Sequence, residues 1–261
     1  MFNVINYFAV FNKYRFMLYN LVAKDFKLKY RRSVLGILWS ILNPLLIMLV
    51  MTAVFQNIFR VQIEHFPIYF LVGRTLFDLM SEATSSSLEA ITGNTNLIKK
   101  VYVPKYLFVL EKCLFSLVNF MFSMIAVLIV MIFLNFRISP TFYLFFLPII
   151  YTLIFSVGLG FILAAANVFF KDTAHLYSVV LTAWMFLTPI MYPKDILSDN
   201  MQRVMELNPM YHFVEYFRDV LMYGNIPNLQ TNLLCLAFSI GFLIVGIFIF
   251  KRVQDKFILY V

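Results

Sequence analysis

Residues 33–59 contain no ionisable side chain, and they follow directly on a cationic run of Lys24, Lys27, Lys29, Arg31 and Arg32. A helix over those positions is roughly 40 Å long, more than the roughly 30 Å hydrocarbon core of a bilayer. Lipid offers the backbone no hydrogen bonds, so an apolar stretch of this length has to be helical there. The basic flank places its start on the cytoplasmic side, where Lys and Arg accumulate. One stretch thus commits the chain to a membrane and sets an orientation.

Four more charge-free runs, 113–136, 138–170, 173–193 and 220–250, have comparable length. Over 261 residues, 62% are hydrophobic and 13% charged, with a mean hydropathy of +0.85. Soluble domains carry about 45–50% apolar and about 25% charged residues, so that class is excluded. The net charge of +8 fits membrane topology better than nucleic acid, because the basic residues lie between the apolar runs. Cys113 and Cys235 show no metal or disulfide spacing and read as small core hydrophobes. The three histidines are isolated, and no cleavable signal is expected ahead of the first span.

Parity calls for a sixth span. Both termini are basic and favour the cytoplasm, which requires an even number of crossings. The extra span falls at 66–91 and carries Arg74, Asp78, Glu82 and Glu89. The expected fold is an all-α integral membrane protein, a single transmembrane domain. It begins with an interfacial amphipathic helix at 1–32, and its six spans lie near 34–59, 66–91, 106–135, 142–168, 174–191 and 229–250. A cytoplasmic loop at 93–105 and an extracytoplasmic segment at 192–228, with short re-entrant or interfacial helices, complete it.

Positions 74, 78, 82, 85 and 89 recur at helical steps and form one stripe. A charged stripe is costly against lipid, so it points into the bundle, a subunit interface or a wet cavity. Arg74 and Asp78, one turn apart, are expected to pair. A pathway role and plain helix-on-helix polar packing both fit the pattern. In the first 32 residues, Lys13, Lys24, Lys27 and Arg31 share one helix face, opposite Leu18, Val22 and Phe26. Lys29 and Arg15 interrupt the apolar face. Such a helix lies on anionic lipid or packs on a cytoplasmic partner, and the two are compatible.

In the loop GNTNLIKKVYVPKY (93–106), one helical turn is expected to display Leu97, Ile98, Lys99 and Lys100 to the cytoplasm. It is not a P-loop: Ile98 stands where the second glycine belongs and Lys100 where Ser or Thr should bind magnesium. Further on, Asn208 suits an N-cap, Pro209 the first helical position and Gly224 a stop. The helix between them is too short to cross.

Three segments carry a family resemblance: RRSVLGILWSILNPLLIMLVMTAVF (31–55), NLIKKVYVPK (96–105) and NPMYHFVEYFRDVLMYG (208–224). The chain resembles, over essentially its whole length, the permease subunits of type-2 ABC exporters, in the branch that exports lipid-linked polysaccharides such as O-antigen, teichoic acid and capsule. The resemblance implies a bacterial or archaeal cytoplasmic-membrane protein with both termini inside. It implies a homodimer bound to two copies of a cytoplasmic ATPase, with no cofactor and no catalysis of its own. A coupling helix formed by Asn94, Asn96, Leu97, Ile98, Lys99 and Lys100 would dock on that ATPase. The pathway would run between protomers. Its candidates are Trp39, Phe55, Phe59, Trp184, Phe186 and Tyr192, aromatic surfaces suited to sugar rings, with Arg74, Asp78 and Glu82. Phe213, Glu215, Phe217 and Arg218 would contribute to an outer gate. An exporter of drugs or small lipids on the same fold is the alternative. A polyprenyl-lipid enzyme fits poorly, since Asp78, Glu82 and Glu89 climb a helix instead of converging at one depth.

Overall fold

The computed structural model describes residues 4–31, 33–57, 63–137 and 139–260, without the side chains of residues 4–12, 57, 195 and 258. Among the described residues every regular element is helical. Helix α1 (Val4–Tyr30) is followed by α2 (Trp39–Asn57), α3 (Phe66–Leu88), the short α4 (Thr95–Lys100), α5 (Tyr106–Phe133) and α6 (Phe146–Phe169). Then come α7 (Thr173–Phe186), α8 (Asp199–Glu206), α9 (Pro209–Arg218), α10 (Leu229–Val253) and α11 (Phe257–Tyr260).

Among the described residues, four helical stretches are long and apolar enough to cross a membrane: Gly36–Gln56, Tyr106–Phe133, Pro140–Phe169 and Leu229–Lys256. Helix α3 has the length, at 23 residues, but carries the charged stripe. Helix α7 has only 14 residues, or about 21 Å, and ends before the 191 expected of it. The cause is Pro189, which cannot continue a helix and disfavours helical geometry in the residue before it. Residues 188–191 run on as a buried non-helical strap.

Helix α3 is the hub. It packs against α2, α5, α6, α7 and α9, and most of its residues are buried. Helix α10 lies along α6, and the two backbones touch at Gly158 and Gly246. Small residues at such a crossing let helices approach closely, which membrane proteins rely on where lipid is as apolar as leucine. Cys113 and Cys235 are buried, as read from their surroundings in sequence. Helix α1 lies against α5: Leu18 is buried, Phe26 meets Phe115 at 4.9 Å between ring centroids, and Asp25 pairs with Lys112.

Residues 192–228 hold one more helix than the 208–224 motif announces, namely α8. Helix α9 begins as expected: Asn208 accepts a hydrogen bond from the Met210 amide at 3.0 Å, and Pro209 follows it. It continues through a π turn (Asp219–Tyr223) and stops at Gly224, whose φ of 70° is left-handed. It is no surface helix: Met210, Phe213, Val214, Tyr216, Phe217 and Arg218 are all buried against the bundle.

Candidate functional site

The charged stripe of α3 faces a groove of about 450 Å³ between the end of α1, the start of α2, and α5. Arg74 donates from Nε to Asp78 Oδ2 at 2.9 Å, the pairing that their spacing predicts. Glu82 Oε1 accepts from Lys29 Nζ and from Asn119 Nδ2, each at 2.8 Å. Lys29 is the cation that breaks the apolar face of α1, so the irregularity in that helix has a partner. Asn119 is almost fully buried, and its Oδ1 has no hydrogen-bond partner. An unsatisfied buried carbonyl costs about 1–3 kcal/mol unless a ligand or water reaches it.

Ser40, Asn43, Ser81, Ser85 and Ser123 add hydroxyl and amide groups to the same walls, and Tyr30 and Trp39 add rings. Tyr30 and Ser40 hydrogen-bond through their hydroxyls. Aromatic faces beside carboxylates and amides are the equipment for holding sugar rings weakly at many points. The ion pair itself ties α1 to α3. In a double-mutant cycle, Lys29→Gln and Glu82→Gln are expected to show a coupling of about 1 kcal/mol in thermal unfolding of the full chain. Additive effects would mean the contact contributes nothing.

The remaining aromatic candidates separate. Trp39 is exposed at the groove mouth, and Phe55 stacks on Phe66 at 5.8 Å between centroids. Phe59 lies outside the described residues. Phe186 is exposed on α7, and Tyr192 donates its hydroxyl proton to the Phe186 carbonyl. Trp184 donates from Nε1 to Asn208 Oδ1 at 2.7 Å, joining the end of α7 to the start of α9. These three therefore stand apart from the α3 groove.

The outer-gate candidates are mostly interior. Phe213 and Phe217 are fully buried in the core. Arg218, also fully buried, lies with its guanidinium carbon 3.5 Å from the centre of the Tyr69 ring. It donates from Nη1 to the Pro189 carbonyl at 2.8 Å and to Glu215 Oε1 at 3.3 Å. Its Nη2 reaches the carbonyls of Ile190, at 3.2 Å, and Tyr69, at 3.3 Å. The Tyr69 hydroxyl donates to Pro189 and Tyr192 carbonyls. A buried non-helical backbone needs partners for its polar groups, and Arg218 with Tyr69 supplies them for the strap. Nothing in the sequence marks Tyr69 for this role. Arg218 is expected from sequence at an outer gate, with no sign there that it would brace the strap.

The short α4 places Asn96, Lys99 and Lys100 on the surface, while Leu97 and Ile98 lean on the same apolar cluster as Tyr14, Met17 and Leu21 of α1. Asn94 anchors the turn by donating from Nδ2 to the Ala90 carbonyl at 2.9 Å. Lys13, Lys24, Lys27 and Arg31 are exposed, as are Phe16, Tyr19 and Leu28 of the same helix.

Comparison with known proteins agrees with this architecture. The profile of the ABC-2 type transporter family matches residues 18–222. The chain is 30% identical over 249 residues to the O-antigen export system permease protein RfbA of Myxococcus xanthus, covering 94% of this chain and 95% of that one. It is 26% identical over 236 residues to the protein of the same name from Klebsiella pneumoniae, with 90% of each covered. It is 23% identical over 243 residues to the polysialic acid transport protein KpsM of Escherichia coli, covering 90% and 92%. With four apolar helices of membrane-crossing length and a profile match over most of its residues, the chain belongs to the ABC-2 type transporter family, the membrane-embedded permeases of ABC transporters.

Proposed function

We propose that this protein is the permease subunit of an ATP-driven exporter that moves lipid-linked polysaccharide of the O-antigen or capsule type outward across the cytoplasmic membrane. The observation that carries the reading is near full-length similarity to permeases named for O-antigen and polysialic acid transport. The α3 groove supports it, since hydroxyls, amides, carboxylates and two aromatic rings suit a glycan better than an apolar drug.

In this reading the chain makes six crossings, α3 and α7 with its strap completing the four apolar ones, and both termini are cytoplasmic. Two copies assemble with two copies of a separate ATPase. The unpartnered apolar faces of α2 and α7 support a pathway between protomers: Leu46, Leu49 and Val50 are exposed on one helix, Leu176, Val179 and Val180 on the other. Helix α4 is the coupling helix, and α1 lies along the membrane beside it. ATP-driven movement of the ATPase reaches α4 and passes into the bundle through the shared cluster with α1. The α8–α9 segment and the strap form the outer closure, braced by Arg218.

The test is co-purification of the chain with the ATPase encoded beside it, followed by ATP-dependent trapping of labelled glycan. Lys99→Glu with Lys100→Glu is expected to weaken association or uncouple hydrolysis from transport by at least about tenfold. If the pair behaves like wild type, α4 is not the docking element. If drug-like amphiphiles stimulate hydrolysis while glycan is neither bound nor moved, the polymer reading fails.

A further inference from the structure

A second cavity, of about 650 Å³, opens between the start of α5, the middle of α6 and the end of α10, and shares no lining residue with the α3 groove. Its walls sort by depth. Leu110, Val157, Leu243 and Ile247 make an apolar surface along the helices. Lys105, Lys251 and Gln254 close the end where α5 begins and α10 finishes. Basic groups therefore stand at the membrane boundary, with a hydrocarbon-like trough extending from them.

Lys105 is held in place. Its ammonium donates to the Gln254 carbonyl and sits 5.6 Å from the centre of the Phe257 ring. An ammonium has three donors, and this uses one. Burial lowers its pKa from the ordinary lysine value, and Asp255 only partly opposes that; an anion at this position would relieve the cost. Asp255 is the lone carboxylate among the lining residues, and Arg252 and Lys256 flank it. The charge balance favours an anion.

The back wall is closed. Gly158 and Gly246, next to Val157 and Ile247, bring the α6 and α10 backbones into direct contact. A lipid-linked polymer entering here would meet a helix crossing closed by direct backbone contact. A resident lipid needs no way past it, and 650 Å³ is the volume of a site for one small molecule.

We propose that this groove binds one anionic diacyl phospholipid, its phosphate between Lys105 and Lys251 and an acyl chain along Leu110, Val157, Leu243 and Ile247. The lipid braces α5, α6 and α10 on the face away from the α3 groove. Assigning it to the cytoplasmic leaflet rests on the orientation proposed above; the binding chemistry does not.

The experiment titrates phosphatidylglycerol or phosphatidylcholine into the delipidated full chain, reading the retained lipid by native mass spectrometry and the unfolding temperature in parallel. Wild type is expected to retain one phosphatidylglycerol at least about tenfold more tightly than phosphatidylcholine. Lys105→Gln with Lys251→Gln should remove that preference, whereas Lys105→Arg with Lys251→Arg should keep it. Arg15→Gln with Lys171→Gln removes two exposed cations elsewhere and should leave it unchanged. Three results would overturn the site: equal retention of both lipids, an equal loss in the Arg15/Lys171 variant, or displacement of phosphatidylglycerol by an equal concentration of polyprenyl diphosphate. The first two leave the export reading untouched, and the third would reassign the groove to a carrier lipid while leaving export standing, so this proposal and the export reading fail separately.

Discussion

Replacing Arg218 with methionine is expected to destabilise the protein by about 3–5 kcal/mol, the penalty of breaking a buried, charge-assisted network by removing one member. Methionine keeps much of the volume and packs well in membranes, so the loss is one of hydrogen bonding. The carbonyls of Pro189, Ile190 and Tyr69 all lose a donor, and Glu215 loses its cation. Arg218→Lys is expected to fare little better, because one ammonium cannot fan across that set as a guanidinium does. Tyr69→Phe should cost only about 1 kcal/mol, since it deletes one hydroxyl and keeps the ring under the guanidinium. The measurement is thermal unfolding of the full chain in mild detergent, followed by loss of monodisperse elution. An Arg218→Met protein within about 1 kcal/mol of wild type would show that the strap is held by packing alone.

Gly158→Leu is expected to be the other severe substitution. A Cβ added at Gly158 would lie 2.5 Å from the Leu243 backbone nitrogen, and one added at Gly246 would lie 2.8 Å from the Gly158 carbonyl carbon. Backbone atoms cannot rotate aside, so α6 and α10 must separate along their whole contact. Overpacking costs about 1–3 kcal/mol where side chains can shift, and a backbone clash should reach the upper end or beyond. Even Gly158→Ala should be clearly destabilising. Gly241→Ala, on the same helix α10 with nothing within 4 Å of the added carbon, is the control and should be neutral or slightly stabilising. Equal behaviour of the alanine variants would remove the crossing from the account.

The long apolar runs were legible because hydrocarbon imposes a length and forbids charge, and α2, α5, α6 and α10 fall where those runs lie. The Arg74–Asp78 pair was legible because it is local, one turn apart on one helix. So was the Asn208 cap, whose geometry depends on the next two residues. The end of α7 was misjudged because charge absence continues past Pro189, and the proline is the better signal. Short helices were expected in 192–228, but α8 was not located there because only eight polar-rich residues form it. What stayed hidden depends on distant chain segments meeting. Lys29 reaches Glu82 across 53 positions, and Arg218 reaches the Tyr69 carbonyl across 149. The clue to the first was an imperfection, a lysine on an apolar face. The second left no trace, because Arg218 is one of several charged residues in its segment, beside Glu215 and Asp219.

Under the six-crossing topology proposed above, the position of α3 at the hub bears on how the protein is made. Each charged residue at the centre of a helix adds about 2.5–3.5 kcal/mol against partitioning from the insertion machinery into lipid, and α3 carries Arg74, Asp78 and Glu82. The intrahelical pair offsets part of this early, and Lys29 has already been synthesised. Asn119 and the walls supplied by α5, α6 and α9 are still to come when α3 emerges. Helix α3 therefore cannot settle among lipids as an independent unit. It has to be retained beside the translocation channel, or another protein surface, until later helices arrive. In that topology, biogenesis of this permease is an assembly step around a waiting polar helix.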